Sequence, residues 1–243
     1  MGGGVGVSIH GDFRVVTENL MFAMPETGIG LFPDIGASWF LPRRPGATGI
    51  YLGLTGARLG APDAMALGLG THFVPAARLR DLEVALYGAP WSDEPAHETV
   101  RRILDGFGEP AGLAPLEAHF DVIDRCFGLN TIEGIIEALE ADGSDFAART
   151  LDVLATKSPT ALKVALAQLR RAGDLSFDDC MKMEYRLSQA FMAGRDFYEG
   201  IRALLVDKDK NPVWSPATLP EVTDLMVERH FDSLGPSDLQ FQD

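Results

Sequence analysis

The pattern of apolar residues changes at about residue 88, and this change constrains the fold more than any other feature of the 243-residue sequence. Before residue 88, short apolar runs that predict strands are mixed with helical patterns. After residue 88, apolar residues recur at helical spacing and almost no strand pattern is found. The sequence therefore predicts a mixed α/β region followed by a mainly helical one.

Composition and charge narrow the range of functions. Hydrophobic residues make up 46% of the sequence, which is enough for a buried core. The formal net charge of −14 disfavours binding to nucleic acid or to an anionic membrane surface. No basic leader-like segment and no apolar run of about 18 residues is present, so we expect no membrane partner and a cytoplasmic location. Cys126 and Cys180 lack metal-binding spacing, which predicts neither a zinc site nor a disulfide.

The first 87 residues contain several predicted elements. Residues 5–10 form a short apolar segment in which periodicity alone does not separate helix from strand, and we expect one or two buried helical turns there. Residues 13–16 and 20–24 predict two strands, joined as a hairpin or another tight connection. Glu26 follows the second of these strands, so we expect its side chain at a strand end. Asp34 precedes a short predicted helix at residues 36–40 and is expected near its N-terminus.

Capping patterns predict helix starts in the second region. Asn130 and Glu133 have the spacing of a capping pair. Ser158 followed by Pro159 combines an N-cap residue with a proline at the first helical position. Ser176 begins a further acidic first turn. We therefore predict helices that begin close to residues 131, 159 and 177.

Three consecutive glycines, Gly2, Gly3 and Gly4, stand at the predicted start of the first helix. Glycines at such a junction let a ligand approach the backbone, and unpaired N–H groups there can hold a carbonyl oxygen that becomes an oxyanion. A helix of about eight residues climbs roughly 12 Å, so a returning strand could place Glu26 beside the helix start. Each of these residues also has an ordinary structural interpretation when it is considered alone. The glycines could form a turn, Glu26 could be a solvent-exposed residue of a Pro-Glu turn, and Asp34 could be a helix N-cap.

Competing kinds of site find little support in the sequence. It contains no G-x-x-x-x-G-K-[ST] motif and no complete G-x-G-x-x-G motif, so phosphate-binding loops of those kinds are not predicted. Ser8 and His10 lie in G-x-S-x-x-G rather than in the G-x-S-x-G nucleophile elbow. The histidines show no metal-ligand spacing.

Several longer motifs carry a resemblance to a known family. They are MGGGVG at residues 1–6, FAMPETGIGLFPDIG at 22–36, LTG at 54–56, SPTAL at 158–162, MEYRLSQ at 183–189 and DFYEGIRA at 196–203. Together they resemble the crotonase (enoyl-CoA hydratase/isomerase) superfamily and, within it, the 3-hydroxyisobutyryl-CoA hydrolases. The resemblance covers nearly the whole chain. It implies an α/β crotonase-like (ClpP/crotonase) fold with a helical C-terminal region.

The resemblance also implies a site and a reaction. Gly3 matches the family glycine whose N–H stabilises a thioester oxyanion. Glu26 matches the catalytic glutamate of the family, and Asp34 matches the second acidic residue of the hydrolases. Gly2, Gly3, Glu26 and Asp34 would contact the substrate. The expected reaction is hydrolysis of an acyl-CoA thioester in valine breakdown, without a metal or a cofactor because CoA is part of the substrate. Homo-oligomerisation is left open.

Two departures from the family pattern keep alternatives open. Hydratases have a second glutamate just after the glycine run, where this sequence has Gly6, and water addition uses two carboxylates. Family members also carry a core segment upstream of the glycines. The resemblance therefore predicts an N-terminally incomplete fold, with residues 1–87 as the C-terminal part of the α/β core and residues 88–243 as a helical region that completes the acyl-CoA site. The alternatives are an enoyl-CoA hydratase or isomerase, or an incomplete subunit that needs another chain.

Overall fold

The computed structural model describes residues 3–91 and 95–241, and these are mostly helical. The α-helices are, in chain order, α1 (Gly3–Ser8), α2 (Ala37–Phe40), α3 (Thr48–Thr55), α4 (Ala61–Ala66), α5 (Leu79–Tyr87), α6 (Ala96–Phe107), α7 (Phe120–Phe127), α8 (Ile132–Asp142), α9 (Asp145–Ala155), α10 (Pro159–Arg171), α11 (Phe177–Ala193), α12 (Asp196–Ile201) and α13 (Asp224–Arg229). Short 3-10 helices lie at Glu26–Ile29, Ala76–Arg78, Pro115–His119, Ala172–Asp174, Leu219–Glu221 and Gly235–Ser237, and a π-helix lies at Arg202–Val206. The strands are β1 (Val15–Val16) and β2 (His72–Phe73).

The described residues form two compact units that alternate along the chain. The first unit contains residues 3–22 and 58–118, and the second contains residues 23–57 and 119–241. The predicted division into residues 1–87 and 88–243 concerns the boundary of a family core, and it stays a prediction.

The first unit is built around a short parallel strand pair. Val15 of β1 pairs with His72 of β2, and the sheet has only these two strands among the described residues. The Arg14 guanidinium donates to the carbonyl oxygens of Gly68 and Leu69, which fixes the chain that enters β2. Apolar side chains after β2 and on α5 and α6 form the core of this unit: Val74, Leu82, Ile103 and Leu104.

The second unit packs around α10 and α11. The hydroxyl of Ser158 accepts a hydrogen bond from the Ala161 N–H, and Pro159 occupies the first turn, where its missing N–H costs no helical hydrogen bond. Helix α11 places its apolar side chains on one face at helical spacing. This face and its neighbours form a core of Phe32, Ala161, Val164, Ala172, Cys180, Met183, Leu187, Phe191, Val222 and Val227.

Most predicted elements are confirmed, but three details are wrong. Residues 20–24 form no strand: only Phe22 bridges to Leu59, while β1 pairs with β2, so the predicted hairpin is absent. Glu26 begins a 3-10 helix rather than following a strand. The N-cap of α8 is Thr131, whose hydroxyl accepts from the Gly134 N–H, and not Asn130. The strand pairings join residues far apart in the sequence, which a local pattern does not contain, whereas the Thr131 cap is a local contact that the Asn130 and Glu133 spacing did not indicate.

Candidate active site

Glu26 lies on the first residue of the 3-10 helix Glu26–Ile29 in the second unit. The side chain of Glu26 is 7% exposed, and its Oε2 atom has no hydrogen-bond partner among the described residues. A buried carboxylate oxygen without a donor is costly in a folded protein. Such an atom is available to a ligand that can supply a proton or an electrophilic carbon.

The backbone around Glu26 is fixed on both sides. The Thr27 hydroxyl donates to the carbonyl oxygen of Leu54 at 2.9 Å, and the Thr27 carbonyl oxygen accepts from the Ser158 N–H at 3.2 Å. Gly30 ends the 3-10 helix in the left-handed region with φ 67°, where a side chain would be strained. These contacts hold the Glu26 turn against α3 and the start of α10.

Two glycines allow α12 to contact this turn through its backbone. A Cβ on Gly30 would lie 2.4 Å from the Asp196 carbonyl oxygen, and a Cβ on Gly200 would lie 2.3 Å from the Ile29 carbonyl oxygen. Real Cβ atoms are not found at such distances. Glycine is therefore required on both elements, and the position of Glu26 depends on α12.

A buried hydrogen-bond network supports the same region. The Ser158 hydroxyl donates to Asp196 Oδ2 at 2.6 Å, and Asp196 Oδ1 accepts from the Ser215 N–H at 2.8 Å. The side chains of Ser158 and Asp196 are buried. The network joins the start of α10, the start of α12 and the chain near residue 215.

The pKa of Glu26 is raised to about 7, chiefly by burial and to a smaller extent by the nearby charges of Asp34 and Glu184. Burial likewise raises the pKa of Asp34. Glu26 and Asp34 are therefore close enough to interact electrostatically. A carboxyl group that titrates near neutral pH can exchange a proton during a reaction, which is a property of general acids and bases.

Asp34 lies in a turn of uncommon backbone conformation. Ile35 has φ 54° and Gly36 has φ 87°, both in the left-handed region. For a β-branched residue such as Ile35 this conformation costs about 1–3 kcal/mol and persists only when surrounding contacts hold it. The carbonyl oxygen of Pro33 accepts from Gln168 Nε2 at 2.7 Å, which fixes one side of the turn. The predicted helix follows as α2, but Gly36 and not Asp34 is its N-cap.

Glu184 of α11 holds the other side of the Asp34 turn. Its Oε2 atom accepts from the Gly36 N–H at 2.8 Å, and its Oε1 atom accepts from the Ser38 N–H at 2.9 Å. Glu184 is 7% exposed, and burial raises its pKa to about 7. Glu184 is thus a buried carboxyl group, like Glu26, and it interacts electrostatically with both Glu26 and the half-buried Asp34.

Lys157 places a cation close to the Glu26 turn. Its Nζ atom would lie 3.3 Å from a Cβ on Gly28. Burial lowers the pKa of the Lys157 ammonium, and the attraction of Glu26 acts in the opposite direction. Neither Lys157 nor Glu184 was predicted as a site residue from the sequence. Glu184 does lie within the run MEYRLSQ at residues 183–189, but that run indicates no role for it.

The glycine run is only partly described by the structure. Gly3 is the first residue of α1 in the first unit, and a Cβ there would meet no atom within 4 Å. Gly2 lies outside the described residues. The structure thus brings together Glu26 and Asp34, which share the second unit. The role of Gly3 as an oxyanion donor and of Gly2 in substrate binding stays a prediction.

A family model described as enoyl-CoA hydratase/isomerase matches residues 1–231. The chain belongs to this family. The predicted crotonase-type fold is thereby confirmed, and the short parallel sheet with a large helical region agrees with part of it.

Curated relatives carry a more specific name. The chain is 48% identical over 245 residues to the 3-hydroxyisobutyryl-CoA hydrolase, mitochondrial, of Xenopus tropicalis and 48% identical over 246 residues to that of Homo sapiens. In both comparisons 99% of this chain is matched, but only 63% of the relative. The chain therefore spans less than two thirds of the length of these relatives.

Two solved structures have the same fold. A carnitinyl-CoA dehydratase from Mycobacterium thermoresistibile has a TM-score of 0.87 and 40% identity, covering 97% of this chain and 66% of that one. An enoyl-CoA hydratase from Rhodobacter sphaeroides 2.4.1 has a TM-score of 0.87 and 37% identity, covering 99% and 68%.

One expectation from the sequence is wrong. The cytoplasmic location is contradicted by the curated relatives, whose names assign them to mitochondria. In residues 3–91 and 95–241 no helix is long and apolar enough to cross a membrane. The same residues contain no cluster of three or more side chains that could bind a metal ion.

Proposed function

We propose that the protein hydrolyses an acyl-CoA thioester, with 3-hydroxyisobutyryl-CoA as substrate and 3-hydroxyisobutyrate and CoA as products. The observation that carries the proposal is the buried Glu26 carboxyl group, which has an unpartnered Oε2 atom, a pKa raised to about 7 by burial, and Asp34 beside it. The 48% identity to 3-hydroxyisobutyryl-CoA hydrolases supports this choice of substrate. A role in valine breakdown belongs to the same proposal.

In this proposal Glu26 acts as an ionised carboxylate, and two routes are chemically balanced. In the first, Glu26 attacks the thioester carbonyl carbon and expels the CoA thiolate, which gives a mixed anhydride that water then hydrolyses. In the second, Glu26 takes a proton from water as the water attacks the carbonyl carbon, the C–S bond then breaks, and the CoA thiolate leaves and is protonated. Asp34 would bind the substrate 3-hydroxyl group or share a proton with Glu26. The Gly3 N–H is the proposed donor to the oxyanion.

A thiol-release assay tests the reaction. Purified protein should release CoA from 3-hydroxyisobutyryl-CoA, and Glu26→Gln should lower kcat by about 1,000-fold or more because the amide can neither attack nor accept the proton. Glu137→Gln, an exposed position on α8, serves as the matched control and should leave kcat unchanged. Undiminished CoA release by Glu26→Gln would contradict the role of Glu26.

An oxygen-isotope experiment tests for the anhydride route. In a single turnover in H2-18O, the anhydride route places the label in the Glu26 carboxylate when water attacks on the Glu26 side, or in the product when it attacks the acyl carbon. Repeated turnovers then accumulate label in Glu26 only if an anhydride forms. Direct attack by water labels the product alone. Mass spectrometry of the peptide that carries Glu26 detects this label. 18O in Glu26 supports the anhydride route, whereas label in the product alone is expected both for direct attack by water and for attack on the acyl carbon of an anhydride.

The second candidate function is hydration or dehydration of an enoyl-CoA. The two solved structures with TM-scores of 0.87 support it, since one is a carnitinyl-CoA dehydratase and the other an enoyl-CoA hydratase. The glycine at position 6, where hydratases carry a second glutamate, favours hydrolysis. Loss of the crotonyl-CoA absorbance without thiol release would reverse this preference.

A further inference from the structure

We propose that Glu184 is a positioning residue for the carboxylate pair of this site: it holds the turn that carries Asp34, and its negative charge acts on the protonation of Glu26. The inference rests on the proposed hydrolysis for its kinetic test only. Its geometric basis is the pair of hydrogen bonds that Glu184 accepts from the Gly36 and Ser38 N–H groups.

These two hydrogen bonds act on the strained part of the turn. Gly36 follows directly after Ile35, whose positive φ is uncommon for a β-branched residue. Glu184 is 148 residues away in sequence, so the bond ties a local turn to a different helix. Both carboxylate oxygens accept an N–H, which fits the ionised form of Glu184. Loss of either bond would let the turn relax and would move Asp34.

The charge of Glu184 also reaches the other acidic groups. Like charges disfavour each other's ionised form, and the charge of Glu184 raises the pKa of Glu26 while that of Asp34 raises the pKa of Glu184. The charge of Glu184 also raises the pKa of Cys180 on its own helix, whereas the charge of Arg43 lowers it. The three carboxyl groups therefore titrate as a coupled set.

The kinetic test compares two substitutions at this position. Glu184→Gln should lower kcat about 10-fold, because the amide oxygen can accept from only one of the Gly36 and Ser38 N–H groups. The substitution should also shift the acid limb of the pH profile of kcat to lower pH by roughly half a unit to one unit, because it removes a negative charge that disfavours the ionised form of Glu26. Glu184→Asp keeps the charge but is one methylene shorter, so kcat should fall without the downward shift. Glu137→Gln is the exposed control. An unchanged acid limb and kcat in Glu184→Gln would overturn the proposal.

A substrate-independent measurement keeps the inference testable if the Glu184 variants do not fold or if the proposed hydrolysis fails. NMR with 13C-labelled glutamate follows the side-chain carboxyl carbon of Glu184 as pH is varied. Because coupling between two sites is reciprocal, Glu26→Gln should lower the titration midpoint of Glu184. An unchanged midpoint would overturn the proposed coupling. Absence of thiol release by the unmodified protein would instead reject the proposed function alone.

Discussion

Substitution of Gly200 by alanine tests how the position of Glu26 is fixed. Gly200 lies inside α12, and glycine in a helix is ordinarily about 0.5–1 kcal/mol less favourable than alanine. Helix propensity alone therefore predicts that Gly200→Ala stabilises the protein. The tertiary structure predicts the opposite, because the new Cβ would lie 2.3 Å from the Ile29 carbonyl oxygen and 2.4 Å from its carbonyl carbon.

The size of the effect follows from this distance. Ordinary contact with a Cβ begins at 3.4 Å, so α12 and the 3-10 helix must separate by about 1 Å. Overpacking of this kind costs about 1–3 kcal/mol. Because Glu26 begins the same 3-10 helix, a displacement of about 1 Å should also lower kcat by roughly 100-fold.

Urea unfolding at pH 7.5 and the thiol-release assay measure the two effects. Gly106→Ala is the matched control: Gly106 is exposed on α6, and a Cβ there would meet no atom within 4 Å. The control should gain about 0.5–1 kcal/mol in the free energy of unfolding. The reasoning is refuted if Gly200→Ala is as stable and as active as the unmodified protein.

Two further predictions concern charge. The folded-state pKa of Glu26 is raised above its usual 4.5 to about 7, so its contribution to stability is fully present below pH 4.5 and is lost as the pH rises toward 7. Glu26→Gln should therefore raise the free energy of unfolding at pH 8 by up to about 3 kcal/mol, because each unit of pKa shift corresponds to about 1.4 kcal/mol. The same substitution should have little effect at pH 4. An equal loss of stability at both pH values would contradict this prediction. Lys157→Met should shift the acid limb of the pH profile of kcat to higher pH, because a cation beside Glu26 favours the ionised form of Glu26. Lys182→Met on α11, where Lys182 pairs with Asp179, is the control and should leave the acid limb unchanged. A shift to lower pH in Lys157→Met would exclude the electrostatic role of Lys157.

The family motifs and the helix starts could be predicted from the sequence because they depend on local chemistry. Ser158 and Ser176 cap their helices as expected, since a side-chain oxygen and an unpaired N–H lie only three residues apart. The prediction failed for residues 20–24, because a strand requires a partner and only Phe22 has one, in a bridge to Leu59. Glu26 lies in a 3-10 helix rather than at a strand end for the same reason.

The sequence by itself determined the family and the predominance of helices, since motifs and periodic patterns are properties of short segments, and it predicted Glu26 and Asp34 as candidate site carboxylates. The tertiary structure alone decided that Glu184 fixes the Asp34 turn, that Lys157 approaches Gly28 and that Gly200 must lack a side chain. These contacts join residues more than 100 positions apart. Burial also occurs only in the folded chain, and it is burial that raises the pKa of Glu26 into the range where a carboxyl group can exchange protons near neutral pH.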